Sequence, residues 1–419
     1  MKPGFLSASL LLVACLPLTA QIPRPRHVLY VDGVHGSDSN NCKTRKAACK
    51  TIGHAISLAS PDDAILVGPA TYYENLTINF NLGIIGSDAT TTIIDGERQN
   101  SVIAIPSDTT VVLAGLTIRN GEGQQGGSGG GIENGGRVTI YNSIITDNVS
   151  AYGEGESDGG GIYNWGTLTL DHSTVSQNQV TGDYYSYGGG IYNAGSLTIN
   201  NSTVSDNSAL TTDAYGAGIF NGGTLSVNRS TISGNGGGDG DYPEGAGIDN
   251  SAVASITNST IYGNDGGEGG GLGNEYGGTA TVSNSTISGN SAKYGGGGIS
   301  NGVLVTIQNS ILAGNIGGNC SGTITSMGYN LSSDNTCNLD GPGDLKNREP
   351  KLTPLQNNGG PTQTAGELPG SPTIDAGNPN GCTDGEGHLL TTDQRGAPRP
   401  GKNKQDKRCD MGAFEIQHD

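Results

Sequence analysis

Residues 189–207 read GGIYNAGSLTINNSTVSDN, and the pattern recurs at 160–178 (GGIYNWGTLTLDHSTVSQN) and 217–235 (AGIFNGGTLSVNRSTISGN). Looser copies at 130–148, 246–264, 270–290 and 297–315 bring the number to seven. The copies end on Asn148, Asn178, Asn207, Asn235, Asn264, Asn290 and Asn315, spaced by 30, 29, 28, 29, 26 and 25 residues. Each copy holds three short Val/Ile/Thr-rich pieces, for example 190–193, 197–199 and 202–205, with small or polar turns between them. None is long enough for a helix, and the composition favours strand. Alternation sends Ile191, Leu197, Ile199 and Val204 to one side and Thr198 and Thr203 to the other. Three strands in 25–30 residues make one rung of a parallel β-helix, each rung pairing with the next at about 4.8 Å.

This fold accounts for an odd composition. The chain has 419 residues, 73 of them Gly, only 33% hydrophobic residues and a net charge of −18. Such numbers alone resemble disorder. A solenoid needs only a thin stacked core, and its glycines go to sharp rung corners such as 159–161, 188–190 and 295–298. Collagen is excluded because Gly does not recur every third residue. Nucleic-acid binding is disfavoured by the acidic balance. Asn193 and Asn207 head two series of equivalent asparagines. They are expected to tolerate left-handed turns and to bond rung to rung as ladders.

Residues 1–20 read as an export signal, with Lys2 before the apolar 6–13 and cleavage after Ala20. A second reading takes Leu12-Val13-Ala14-Cys15 as a lipobox with a lipid anchor on Cys15. Both stay open, and no later apolar run could span a membrane. Six further cysteines fall as close neighbours, so the expected pairs are Cys42–Cys49, Cys320–Cys337 and Cys382–Cys409. The chain divides into the signal (1–20), an N-terminal cap with the first rungs (21–120), regular repeats (121–319), and a last rung with an irregular disulfide-tied cap (320–419). Thr51 is placed to cap a short helix carrying Ile52, Ala55, Ile56 and Ala59 over the first rung.

Tyr30-Val31-Asp32, Cys49-Lys50-Thr51-Ile52 and 70–78 (ATYYENLTI) resemble the opening of right-handed β-helix proteins of the pectin-lyase-like superfamily. The GGIxN copies resemble polymorphic outer-membrane-protein repeats. Residues 355–362 (LQNNGGPT), 370–377 (GSPTIDAG), 392–400 (TDQRGAPRP) and 409–415 (CDMGAFE) resemble a choice-of-anchor Q domain. The resemblance covers nearly all of the mature chain. It implies a right-handed solenoid in an exported bacterial surface or secreted protein, and the period gives about ten rungs.

The superfamily includes polysaccharide lyases and hydrolases, so catalysis needs testing. Residues 121–300 hold 17 acidic residues but only Arg137, Arg229 and Lys293 as basic ones. That field repels acidic polysaccharides. Asp171-His172 is read as a solvated turn, and no nucleophile–base set stands out, so no catalytic residue is assigned. The stronger feature is the loop between each terminal Asn and the next Gly run. Stacked in register, these loops align Glu154, Glu156, Asp158, Asp183, Asp213, Asp239, Asp241, Glu244, Asp265 and Glu268 with Tyr184, Tyr185, Tyr187, Tyr215, Tyr242 and Tyr294. Such an edge serves as a soluble face, a surface for carbohydrate or matrix, or a Ca²⁺ site, for which Asp239, Asp241 and Glu244 are the best ligands. No other cofactor is expected. Tyr163, Tyr192 and Phe220 form a second, outward stripe that lapses at Asp249, Gly273 and Ser300. The expected function is a non-catalytic exported scaffold binding carbohydrate or another surface. The alternatives are a polysaccharide-active lyase or hydrolase and a passive spacer.

Overall fold

The computed structural model describes residues 25–123, 129–152, 156–182, 185–211, 213–237, 244–401 and 408–417. The export signal and Cys15 lie outside them.

The repeat sets the architecture, an all-β parallel solenoid of about eight complete turns, against the ten expected. In one turn, strands Ile191–Asn193, Ser196–Asn200 and Thr203–Ser205 follow one another. The first two kinds of strand stack into a 20-stranded sheet and the third into a 12-stranded one. Pairing is parallel and in repeat register: Ile162, Ile191 and Ile219 align, as do Leu168, Leu197 and Leu225. Ile191, Leu197, Ile199 and Val204 point inward and are at most 1% exposed. Burying each such side chain contributes about 1.5–3 kcal/mol.

Both asparagine ladders form. Nδ2 donates to the next rung's Oδ1 from Asn134 through Asn164, Asn193, Asn221, Asn250 and Asn274 to Asn301, over 2.6–2.9 Å. The series from Asn148 to Asn315 does the same over 2.9–3.0 Å. In this second series the left-handed residue is not the ladder asparagine but the one before it: Asp147, Gln177, Asp206, Gly234, Gly263. That residue turns the chain, so the asparagine can keep its amide inside the stack. A third ladder was not foreseen. The backbone N–H of Ser143, Ser173, Ser202, Ser230, Ser259 and Ser285 each donates to the next rung's Ser Oγ, at 3.0–3.2 Å. The serine of the Asn-Ser-Thr motif therefore satisfies a buried donor at each corner.

The predicted helix spans Ile52–Leu58, with Thr51 accepting from the His54 N–H and Ile52 and Ala55 buried in the main core. Glu74 holds its first turn, accepting from the N–H groups of Ile52 (2.8 Å) and Gly53 (2.7 Å). All three expected disulfides are present. The C-terminal part folds back along the flank of the stack. Gln394 and Thr392 bond to Ser230, Thr260 and Asn258. Thr383 accepts from Asn284 and Gln308. Buried Arg399 donates to Asn258 Oδ1 (3.2 Å) and to the Gly412 carbonyl (2.8 Å), and pairs with Glu415. Asp171, expected in a solvated turn, is buried between His172 (2.8 Å) and Asn201 (2.9 Å).

Candidate functional site

Two rows of side chains face each other at one corner of the solenoid. The first comes from the middle residue of each first strand. Thr77, Ala104, Glu133, Tyr163, Tyr192, Phe220, Asp249, Gly273 and Ser300 stand in register. The second comes from the residue before each Gly run. Asp158, Tyr187, Tyr215 and Glu244 align in the same way, the first three on a small parallel sheet of Ser157–Asp158, Tyr185–Tyr187 and Asp213–Tyr215. Between the rows the chain reverses through glycine. Gly188 has φ +68°, and a Cβ there would collide with the Ile191 carbonyl. Only glycine lets the two rows approach.

The rings form a continuous array. Tyr163 stacks on Tyr192 at 4.9 Å, and Tyr192 on Phe220 at 5.3 Å. Tyr187 stacks on Tyr215 at 5.1 Å and sets its ring edge-on to Phe220 at 4.8 Å. Trp165 adjoins Tyr163 at 5.2 Å and is 39% exposed. Tyr163, Tyr187, Tyr192, Tyr215 and Phe220 are half-buried, so part of each side chain stays open to solvent. Toward the N-terminal end the first row continues into a hollow of about 290 Å³ lined by Thr77, Ala104 and Glu133.

Carboxyls close both ends. Asp158 is 7% exposed, and its Oδ1 has no hydrogen-bond partner. Burial, helped by Glu156, pushes its pKa up to about 7. Asp249 is 1% exposed, and neither of its oxygens has a partner. Burial, reinforced by Glu244 and Glu275, holds its carboxyl well above the usual carboxylate range. A Cβ at Gly273 would lie 3.0 Å from Gly245 Cα and 3.6 Å from Asp249 Oδ1, so glycine lets the Gly245 backbone close over that carboxyl. Glu244 and Glu275 are raised by burial and by neighbouring acids. Ser300 Oγ donates to Glu268 at 3.4 Å. Burial also raises the phenols of Tyr187, to about 12, and Tyr192.

The structure divides the residues expected on the edge. Tyr187, Tyr215, Glu244 and Glu268 are half-buried at this corner, whereas Glu156, Tyr185, Asp213, Asp265 and Tyr294 are exposed. Asp158, expected on the open edge, is buried because Ser157–Asp158 pairs with Ser186–Tyr187. Glu154, Asp183, Tyr184, Asp239, Asp241 and Tyr242 lie outside the described residues. Among the described residues no group of three His, Cys, Asp or Glu side chains is placed to hold a metal ion. Asp249, Glu275 and Tyr276 were missed as site residues. The lapse of the aromatic stripe at Asp249 was the available signal.

Residues 75–242 match the family model described as right handed beta helix region. The solenoid is right-handed. The crystal structure of pectate lyase Pel9A is similar at a TM-score of 0.56 and 16% identity, over 94% of this chain and 97% of that one. A complex of XylC with xylose aligns at 0.48 and 10% identity, over 93% and 98% of the two chains. Pectin methylesterase PemA from Erwinia chrysanthemi aligns at 0.33 and 14% identity, over 57% and 79%. No curated protein sequence matches the chain. The fold is thus pectate lyase-like.

Proposed function

We propose that this is an exported β-helix protein that binds carbohydrate at the aromatic corner where the two rows meet, as a surface or secreted scaffold. The observation that carries this reading is the array of Tyr163, Tyr192, Phe220, Tyr187 and Tyr215, half-buried and in ring contact. Aromatic faces beside hydrogen-bonding groups suit sugar rings. The surrounding carboxylates select neutral glycans over uronates. Three disulfides support an oxidising, extracellular setting. A choice-of-anchor Q-like C-terminus and a signal or lipid anchor at Cys15 fit the same reading.

The test is electrophoresis through gels containing xylan, mannan, mixed-linkage glucan or polygalacturonate. The expected result is retardation by at least one neutral polysaccharide and none by polygalacturonate. The double variant Tyr192→Ala/Phe220→Ala, with an unchanged circular dichroism spectrum, should lose it. Free migration of the wild type in every gel overturns the reading.

One observation favours a second reading, glycoside hydrolysis. Burial holds the Asp249 carboxyl well above the usual carboxylate range near Glu244 and Glu275, and carboxyls in unlike environments are the raw material of an acid–base pair. New reducing ends from a neutral polysaccharide, abolished by Asp249→Asn, would establish it. Their absence leaves the binding reading.

A further inference from the structure

One outward-facing column of the large sheet changes character along the solenoid. It runs Tyr30, Leu66, Ile85, Ala114 and Tyr141 in register, and then Asp171, Asn200 and Asn228. The first five members are apolar or aromatic although they point away from the core. Leu66, Ile85, Val112 and Ala114 form a second apolar cluster outside that core and are at most 7% exposed. Beside this cluster opens a hollow of about 670 Å³, lined among others by Tyr30, Val34, Arg45, Leu66, Ile85 and Ser87. Small-molecule pockets run from about 300 to 1,000 Å³. The hollow is open to solvent, since Arg45 and Ser87 are exposed and Val34 is 65% exposed. Among the described residues, bonds from the returning C-terminal segment to the stack begin only at the Arg229 turn and leave these first turns uncovered. The loop that walls the hollow is pinned in place. The Cys42–Cys49 disulfide ties it, Thr44 accepts from the Ala47 N–H at 3.2 Å, and Asp32 accepts from the N–H groups of Val34 (2.9 Å) and His35 (3.0 Å).

We propose that this hollow binds a small amphiphilic carboxylate, its apolar body against Leu66, Ile85 and Val34 and its acid group at the mouth beside Arg45. The sign of the charge follows from the rim. Arg45 stands over the Tyr30 ring at 5.6 Å, which holds its guanidinium at the edge of the hollow. Residues 43–50 carry Lys43, Arg45, Lys46 and Lys50 and no acid, within a chain of net charge −18. All four are exposed, so the field here draws in an anion that the acidic repeats repel. Asp32 also lines the hollow, but its oxygens are engaged by the two backbone N–H groups and by His35 Nδ1 at 3.4 Å. A sugar fits poorly, because the floor is apolar and Ser87 Oγ already donates to the Val67 carbonyl at 3.0 Å. The site lies in other turns than the aromatic array and does not rest on the carbohydrate reading.

The test is titration calorimetry of the chain from Gln21 onward with hexanoate, octanoate, decanoate and naphthalene-2-carboxylate, beside 1-octanol and octyltrimethylammonium. Octanoate should bind at one site per chain, at least about tenfold tighter than 1-octanol, with the ammonium weakest. From hexanoate to octanoate the affinity should rise, by up to about fourfold for each added CH₂. Tighter binding of the naphthalene acid than of decanoate would assign an aromatic body, and the reverse an alkyl one; either supports the site. Arg45→Glu and Val34→Asp, both at exposed positions and checked by an unchanged circular dichroism spectrum, should each weaken octanoate at least about tenfold, and Arg45→Lys should keep most of the affinity. The assignment is overturned if no carboxylate binds, if 1-octanol binds as tightly as octanoate, or if Arg45→Glu and Val34→Asp bind like the wild type. None of these outcomes alters retardation by polysaccharide in gels, so the two sites fail separately.

Discussion

Replacing Asp158 by Asn should stabilise the protein, and by an amount that depends on pH in a defined direction. The side chain is 7% exposed, and its pKa is raised from 3.8 to about 7 in the folded state. A carboxyl with a raised folded pKa binds more protons folded than unfolded. Stability therefore falls as pH rises from the unfolded value toward the folded one, and the full penalty is in place above it. The interval of about three pH units corresponds to about 4 kcal/mol at about 1.4 kcal/mol per unit. Local relaxation and water entry lower this, so about 2–4 kcal/mol is expected. Asn has the same shape and no charge to lose. Urea unfolding of wild type and Asp158→Asn at about pH 4 and pH 8.5 provides the measurement. The variant should be close to wild type in acid and clearly more stable in alkali. Taking the difference between the two proteins cancels the titration of carboxyls that do not interact with Asp158. An equal offset at both pH values, or a less stable variant at pH 8.5, would refute the burial argument.

Three further outcomes follow from the packing. Asn207→Ala removes the acceptor of the Asn178 N–H and Nδ2 and the donor to Val175 and Asn235, and should cost about 2–4 kcal/mol in denaturant unfolding. Gly188→Ala places a methyl against the Ile191 carbonyl at φ +68° and should lower the melting temperature while splaying Tyr187 from Phe220, seen as altered near-ultraviolet circular dichroism. Arg399→Met removes the donor to Asn258 and Gly412 and leaves buried Glu415 without its cation. Limited proteolysis should then cut within 351–417 at concentrations that leave wild type intact.

The repeat made the three strands per turn, the inward face and both asparagine ladders legible, because a period with a fixed offset constrains every copy at once. Close sequence neighbours also sufficed for the disulfides. The left-handed position was misplaced by one residue. Asn tolerates that conformation, but Gln177 and Asp206 adopt it while Asn178 and Asn207 do not. The groove was half legible. Tyr163, Tyr192 and Phe220 were found by alternation, and the loop tyrosines by alignment. That Tyr187 and Phe220 meet depends on a glycine-mediated reversal between two short segments, and neither carries a strand signal strong enough to read. Asp249 looked like a gap in a stripe. Its importance lies in what is missing around it, partners for its two oxygens, and that is a property of packing. The C-terminal part was foreseen as a cap, but its course along the flank depends on contacts 70 to 160 residues apart, such as Asn309 with Cys382 and Gln394 with Ser230.

That course has a mechanical consequence. The returning segment grips the corners at Ser230, Asn258, Asn284 and Gln308 and so ties four successive turns to one another. A bare solenoid frays turn by turn, since each turn touches only its neighbours. Here the strapped turns must open together, whereas those from Glu133 to Tyr192 are, among the described residues, joined by nearest-neighbour pairing. Under load or in denaturant, opening should therefore start on the N-terminal side and halt at the strap. The aromatic array lies at that boundary: Tyr163, Tyr187 and Tyr192 sit on the looser turns, and Phe220 and Asp249 belong to the clamped ones. A glycan spanning it would act as a splint across the joint.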